Sequence, residues 1–418
     1  MAETKNSIER LPDELLISIV SRLPFTEAGR TSILAHRWRY FWTSNPCLNF
    51  DAVRLLGQFE KRGTTLESET VQFVKWVNRA TVMHTAPTID EFRIAFDLDG
   101  GFASHHLDRW IEFAFRKKVK NLELDIVNSD TVVRTNPYPF PKICFSSCES
   151  LVTLSLTGVD VSEEVLVFFI CKCPFLEGLS VRGSYRLKKL RSSHPAVRLR
   201  RLEIVDCVSF RSLDICSPNL VSCTVHGNHI AVNLKNVLSL ASLSLGAATV
   251  RELVFNLNQI SKCLSRLETL TLRTSVIHGS EVRSPSLPQL KKLVLDISAG
   301  GYESLLSFTR LINAAPYLRE IVLKFTWSGF RFGRRMVGQY ERPRHHSLEV
   351  LQIEGFAGYT TDVELAQCIL EHFVSLKRIV IGFDQPSGGK IAQMTKAREE
   401  GVRLLNAKLP EGAELIMR

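Results

Sequence analysis

Residues 267–272 read LETLTL, with Leu267, Leu270 and Leu272 at i, i+3 and i+5. Positions i+3 and i+5 are two apart and share one face of a short strand, and position i reaches the same interior from the turn that leads in. The spacing recurs upstream at Leu151-Leu154-Leu156, Leu176-Leu179-Val181, Leu199-Leu202-Ile204, Leu220-Cys223-Val225 and Leu240-Leu243-Leu245. Downstream it recurs at Leu290-Leu293-Leu295, Leu318-Ile321-Leu323, Leu348-Leu351-Ile353 and Leu376-Ile379-Ile381, and two weaker units, Ile89-Phe92-Ile94 and Val119-Leu122-Leu124, precede the series. One such unit cannot bury its apolar face alone, but stacked units can, each strand hydrogen-bonding to the next.

Several stretches between these strands have helical period. Leu253, Leu257, Ile260 and Leu264 share a face, as do Val363, Ala366, Ile369, Leu370 and Phe373, with Asp362 placed as an N-cap. Ser162 before Glu163-Glu164 is a second helix start, and Pro174 and Pro316 fall where a helix must have ended. Strand, turn, helix and return at a period of 20–32 residues is the pattern of a leucine-rich-repeat solenoid of about twelve strand–helix units, an α/β architecture. An ordinary α/β domain would not share this internal spacing. The shortest units, 20 and 21 residues, leave little room for a helix, and the extra length of the units starting at Ile89, Val119 and from Leu318 onward is expected in loops.

The chain has 418 residues, 45% of them apolar and 23% charged, enough for a sizeable core. No run approaches the roughly 18–20 apolar residues of a membrane span. The longest dense stretch is Val165 to Cys171, and the first residues lack the apolar segment of a secretory signal. Ten scattered cysteines then read as reduced thiols of a cytoplasmic or nuclear protein. The formal charge of +10 is local. Residues 182–201 hold eight Lys/Arg and no acid, residues 331–344 net +4, and the remaining 384 residues net −2. Nucleic acid is therefore an unfavoured partner. Either segment is a solvated loop or a docking point for an acidic target.

Residues 8–50 do not follow the repeat. Pro12 suits a first helical turn, with Asp13 and Glu14 favouring the positive helix end. Leu11, Leu15, Ile19 and Leu23 form one apolar stripe, and Leu16, Val20 and Leu23 an adjacent one. Pro24 stops the helix, Thr26-Glu27 starts a second, and Ala35 to Trp42 gives a third. Three helices in about 40 residues cannot bury both stripes, so one face docks on something else, the repeats or a partner. A DNA-reading helix-turn-helix would need a basic helix, but residues 1–50 hold six Lys/Arg against five Asp/Glu.

The stretches LPDELL, SRLPF, RTSILAHRWRYFWTS and the closing Leu48 to Asp51 strongly resemble the plant F-box, with His36 and Gly29 as mild departures. The tail, residues 347–381 followed by AREEGVRLL, resembles more loosely the FBD region of the same plant family. The resemblance implies an F-box over 1–50, a linking helical segment over 51–88, leucine-rich repeats over 89–344 and FBD-like repeats with a cap over 345–418. It further implies a non-catalytic substrate receptor of an SCF-type cullin–RING ubiquitin ligase, the F-box docking a Skp adaptor and through it a cullin. By motif position the adaptor-facing residues are Leu11, Pro12, Leu15, Ile19 and Leu23, with Trp38 close by.

No phosphate loop, nucleophile–base pair or complete metal set is present, and no cofactor is expected. Gly388-Gly389-Lys390 lacks the flanking residues of a phosphate loop, Asp97-Leu98-Asp99-Gly100 departs from a calcium loop, and Cys171/Cys173 and Cys144/Cys148 lack a second pair at zinc-site spacing. A target protein would meet the strand positions facing away from the core, of which Ser155, Ser180, Arg182, Arg201, Thr224, Ser244, Thr271 and Arg273 are the candidates. Alternatives from other classes are a non-ligase interaction scaffold and a nucleic-acid-binding solenoid using the basic loops.

Overall fold

A computed structural model describes residues 11–23, 25–31, 36–52, 66–98, 100–126, 137–141, 145–192, 195–276, 285–299, 304–327, 347–373, 375–383 and 391–418. The basic segment 331–344, Cys144, His345-His346 and Gly388-Gly389-Lys390 lie outside these residues. The chain divides into two compact units, one of residues up to Lys188 with Asp206–Ser209, the other of Lys189–Val205 with Phe210–Arg418.

The first unit opens with helices α1 (Asp13–Val20) and α2 (Phe25–Arg30) and a 3-10 segment, His36–Ser44. Strand β1 (Cys47–Asp51), helix α3 (Leu66–Met83), β2 (Glu91–Ala95), α4 (Gly100–Arg116) and β3 (Asn121–Asp125) follow. The short β4 (Tyr138–Pro139) pairs with β6 (Val159–Asp160) around β5 (Thr153–Thr157), and α5 (Glu163–Lys172) leads into β7 (Gly178–Arg182). Strands β1, β2, β3, β5 and β7 pair in parallel and in register, so Leu48, Phe92, Leu122, Leu154 and Leu179 form one buried row. Phe50, Ile94, Leu124, Leu156 and Val181 form the second. Behind the rows, Phe73 of α3 stacks on Phe96 at 4.5 Å and meets Trp110 of α4 edge-on, while the Trp110 indole N–H donates to Asn78 at 2.8 Å. Such aromatic contacts add about 0.5–1.5 kcal/mol each beyond the area they bury.

The second unit contains β8 (Lys189–Arg191), β9 (Arg201–Val205), β10 (Ser212–Cys216), β11 (Ser222–His226), β12 (Ala231–Lys235) and β13 (Ser242–Thr249). Then come α6 (Val250–Gln259), β14 (Thr269–Val276), β15 (Lys292–Ala299), α7 (Thr309–Asn313), β16 (Glu320–Trp327), β17 (Val350–Phe356), α8 (Thr360–His372), β18 (Arg378–Phe383), α9 (Ile391–Asn406) and β19 (Glu414–Met417). Strands β9, β11 and β13 to β19 pair in parallel in chain order, except that α-helices and the strands β10 and β12 intervene in sequence. In β9, β11 and β13 to β18 the buried rows are the i+3 and i+5 residues that the spacing predicts, while β19 leaves Leu415 half-buried and Met417 exposed.

Three features depart from the expected strand–helix repeat. In the short units the return leg is a strand: β8, β10 and β12 form a second parallel sheet with Leu190, Leu213 and Val232 stacked inward. Five extended residues span about 17 Å, a distance that takes about eleven residues as a helix, so extension fits a 20-residue repeat and a helix does not. The basic segment is thus partly a strand, with Lys189 and Arg191 exposed on either side of buried Leu190. In the Ile89 unit the extra length is taken up by α4 rather than by a loop. Finally, α8 starts at Thr360, so Asp362 lies within the helix. Its carboxylate, fully buried, accepts from the N–H groups of Ala357 and Gly358 at 2.8 and 3.0 Å, ahead of the helix.

A turn precedes the strand in most repeats: the N–H of the first apolar residue donates to the carbonyl three residues earlier. It joins Leu151 to Cys148, Leu176 to Cys173, Leu199 to Ala196, Leu220 to Ser217, Leu267 to Leu264 and Leu318 to Ala315, at 3.1–3.3 Å. No helix among the described residues is long and apolar enough to cross a membrane.

Candidate functional site

Helix α1 has two apolar stripes and only one finds a core. Leu16 and Val20 are fully buried and pack with Ala28, Trp38 and Phe41, with Leu11, Ile17 and Trp42 partly buried against them. Leu15, Ile19 and Leu23 are 51%, 38% and 37% exposed. The cluster is fixed across its ends by Arg37, which donates to the Asp13 carboxylate at 3.0 Å and to the Leu11 carbonyl at 2.7 Å. Pro12 sits at the N-cap, exposed, its carbonyl accepting from Leu15 and Leu16 at 3.1 Å each. Trp38 is a correction. It is 4% exposed and meets Phe41 edge-on at 6.0 Å, because so small a helical cluster needs its largest side chain inside. Of the residues expected to face an adaptor, Leu15, Ile19, Leu23 and Pro12 are exposed and Leu11 is partly buried. Tyr40, which the sequence reading passed over, is 57% exposed on the 3-10 segment.

The outward strand positions form two patches, one in each unit. In the first unit Ser155 lies beside Ser180, and Arg182 beside Thr157. In the second, Thr224, Ser244 and Thr271 make a single hydroxyl row, with Arg201 beside Ser222 and Arg273 beside Gly246. The hydroxyl residues are half-buried and the three arginines exposed. His226 closes this row on one side: its Nε2 lies 2.7 Å from the Ser244 hydroxyl. Gly246 leaves the room it needs, since a Cβ there would sit 3.1 Å from the His226 side chain. Further along, charges pair across strands: Arg273 with Asp296 at 3.3 Å, Lys292 with Glu320 at 2.8 Å and Lys324 with Glu354 at 2.7 Å. Exposed pairs of this kind contribute at most about 1 kcal/mol each, but they leave this part of the face without the continuous basic track that a nucleic acid requires.

The early strands carry a patch that sequence reading missed. Arg93 lies 3.5 Å from Asp51 and 3.3 Å from Glu123, with Glu91 and Asp125 on the same outward face. Burial, followed by the neighbouring carboxylates of Asp125, Glu91 and Asp51, pushes the Glu123 carboxyl up against the opposing pull of Arg93. The signal was available: outward positions of the Ile89 and Val119 units alternate with their apolar triplets like all the others.

The described cysteines and histidines assemble no metal set. Cys171 is exposed while Cys173 is buried, and no group of three or more His, Cys, Asp or Glu among the described residues could hold a metal ion. Burial pushes the thiols of Cys207, Cys223 and Cys368 up to about 11, 12 and 11, so they stay protonated. His84 is a structural histidine, its Nε2 3.0 Å from the Asn45 carbonyl and its pKa lowered chiefly by burial.

Comparison with known proteins agrees with both parts. The F-box domain model matches residues 8–50, and the leucine-rich-repeat domain model of the At1g61320/AtMIF1 kind matches residues 140–414. A putative F-box/LRR-repeat protein of Arabidopsis thaliana, At5g02930, is 26% identical over 358 residues, covering 77% of this chain and 72% of its own. The Arabidopsis F-box/LRR-repeat protein At3g03360 is 25% identical over 384 residues, covering 83% and 74%. The Arabidopsis F-box/FBD/LRR-repeat protein At3g52680 is 28% identical over 229 residues, covering 54% and 46%. The chain belongs to the plant F-box/LRR-repeat family, with an N-terminal F-box and a leucine-rich-repeat domain of the At1g61320/AtMIF1 type.

Proposed function

We propose that the protein is the substrate-recognition subunit of an SCF-type cullin–RING ubiquitin ligase, acting without bond chemistry of its own in the cytoplasm or nucleus. The observation that carries this reading is the division of α1. Leu16 and Val20 complete the local core, while Leu15, Ile19 and Leu23 stay on the surface at i+4 spacing. An apolar stripe left over on a helix is the usual anchor for a helical partner, here a Skp adaptor. Full burial of three such side chains is worth about 1.5–3 kcal/mol each in gross terms. Association costs on the order of 4–15 kcal/mol, so the adaptor must engage the whole stripe together with its polar rim.

The outward strand faces are the target-binding surface in this reading. The hydroxyl row of Thr224, Ser244 and Thr271 suits the close approach and hydrogen bonding of a peptide backbone, and Arg201 and Arg273 flank it. The test is co-purification of the full chain with a plant Skp adaptor and cullin. Leu15→Asp combined with Ile19→Asp is expected to abolish capture while the repeats stay folded. Retained capture by that double variant would overturn the assignment.

A further inference from the structure

Cys148 and Cys173 are three residues ahead of Leu151 and Leu176, the first apolar residues of neighbouring repeats. Strands β5 and β7 pair directly, Leu154 opposite Leu179, and the pairing reaches back through Val152, whose carbonyl accepts from both Glu177 and Gly178. The offset of that register puts Cys148 opposite Cys173. Each opens the equivalent turn of its own repeat, closed by Leu151 N–H to Cys148 and Leu176 N–H to Cys173 at 3.1 and 3.2 Å, so the stacking of strands continues into the turns. Neighbouring strands lie about 4.8 Å apart, within the roughly 4.4–6.8 Å between Cα atoms that a disulfide bridges. The turns of the other described repeats carry alanine, serine, leucine or phenylalanine at this position, as at Ala196, Ser217, Leu264 and Phe373.

We infer that Cys148 and Cys173 form a dithiol oxidation site, converted by a hydroperoxide into a disulfide that clamps two successive repeats. Each side chain is 4% exposed. The two thiols share a hydrogen bond, which favours the Cys148 thiolate and keeps Cys173 protonated, whereas burial pushes Cys207, Cys223 and Cys368 the other way. The thiolate of Cys148 attacks one peroxide oxygen, the O–O bond breaks, and Cys148 becomes a sulfenic acid as hydroxide leaves. The Cys173 sulfur then attacks the Cys148 sulfur. The S–O bond breaks and water leaves with the Cys173 proton. Two thiols and one hydrogen peroxide thus give one disulfide and two waters, and a dithiol reductant restores the pair by exchange. Because both sulfurs are buried, the rate follows opening of the two turns rather than surface collision.

The experiment treats the purified full-length chain with hydrogen peroxide, blocks remaining thiols with an alkylating agent under native conditions, and maps cysteine peptides by mass spectrometry. The expected product is a Cys148–Cys173 peptide pair lighter by two hydrogens, abolished by dithiothreitol, and a higher thermal midpoint for the oxidised chain. Cys173→Ser is expected to leave a sulfenic acid at Cys148 that dimedone traps. Exposed Cys171 serves as the internal control, and Cys171→Ser is expected to leave the crosslink in place. Recovery of both Cys148 and Cys173 as free thiols, in a wild-type sample whose Cys171 has been oxidised, would overturn the inference. So would a disulfide that joins Cys171 to either.

Discussion

The side-chain carbonyl of Asn256 accepts the backbone N–H of Val232 at 3.3 Å. Its amide nitrogen donates to the carbonyl of Ile230 at 2.8 Å. Asn256 lies on α6 and is 5% exposed, and Val232 belongs to β12, the last strand of the small second sheet. One amide side chain therefore satisfies the edge of that sheet as a further strand would, at the point where the return leg changes from strand to helix. Asn256→Leu would leave two buried backbone groups without partners, each costing about 1–3 kcal/mol. The expected outcome is a lower urea midpoint and faster hydrogen exchange at the Val232 amide. Unchanged exchange there would remove this role.

The two stripes of α1 should separate cleanly by mutation. Leu16→Ala and Val20→Ala delete fully buried groups and are expected to destabilise the helical cluster by about 1–5 kcal/mol. Leu15→Ala and Ile19→Ala should cost less, since their side chains are already partly in water, yet they should weaken adaptor capture at least tenfold. Trp38→Ala should behave like the first pair, losing fold before affinity. Circular dichroism of each variant beside a pull-down distinguishes the two classes.

Burial raises the Asp362 carboxyl to about 6 from 3.8, more than the hydrogen bonds from Ala357 and Gly358 lower it. The Asp362 charge in turn helps burial raise the neighbouring Tyr359 hydroxyl. A folded-state pKa above the unfolded one means the native state holds its proton more tightly. The contribution to stability is present below about pH 4 and is lost as pH rises to about 6, on the order of 3 kcal/mol at most. Asp362→Asn should flatten the stability profile between pH 4 and 6. A profile that keeps its slope in that variant would assign the dependence elsewhere.

Gly358 has φ +76°, and a Cβ there would collide with the carbonyl oxygen of Ala397 on α9. Left-handed backbone costs an L residue about 1–2 kcal/mol before any clash, and the obstructing atom is backbone that cannot rotate away. Gly358→Ala is expected to dislodge α9 and expose it to limited proteolysis. Gly412→Ala, with φ +83° but open space around its Cβ, should show only the conformational part.

The repeats were legible because the buried rows use the same three positions each time. Among the described residues the strands of the long parallel rows number five in the first unit and nine in the second, against twelve apolar triplets. The two that escaped lie at the ends, where the first position is not apolar. Asn45 stands there before Leu48 and Phe50, buried and accepting from the Cys47 N–H at 2.8 Å. Gly412 stands there before Leu415 and Met417. The return strands escaped because alternation over five residues, as in Ser212–Cys216, is too short to separate from a turn of helix. The two apolar stripes of α1 were readable from spacing, but which of them faces inward depends on where Trp38 and Phe41 pack.

The alternation of buried rows and outward positions through β11, β13 and β14, which lapses in β15, β16 and β18 where Val294, Val322 and Val380 are buried as well, uncouples two kinds of change. Replacing Thr224, Ser244 or Thr271 rewrites what the surface can hold without touching a buried row. Replacing Cys223, Leu243 or Leu270 does the opposite. Duplicated copies of such a chain are free to drift apart in what they recognise while staying interchangeable in how they fold.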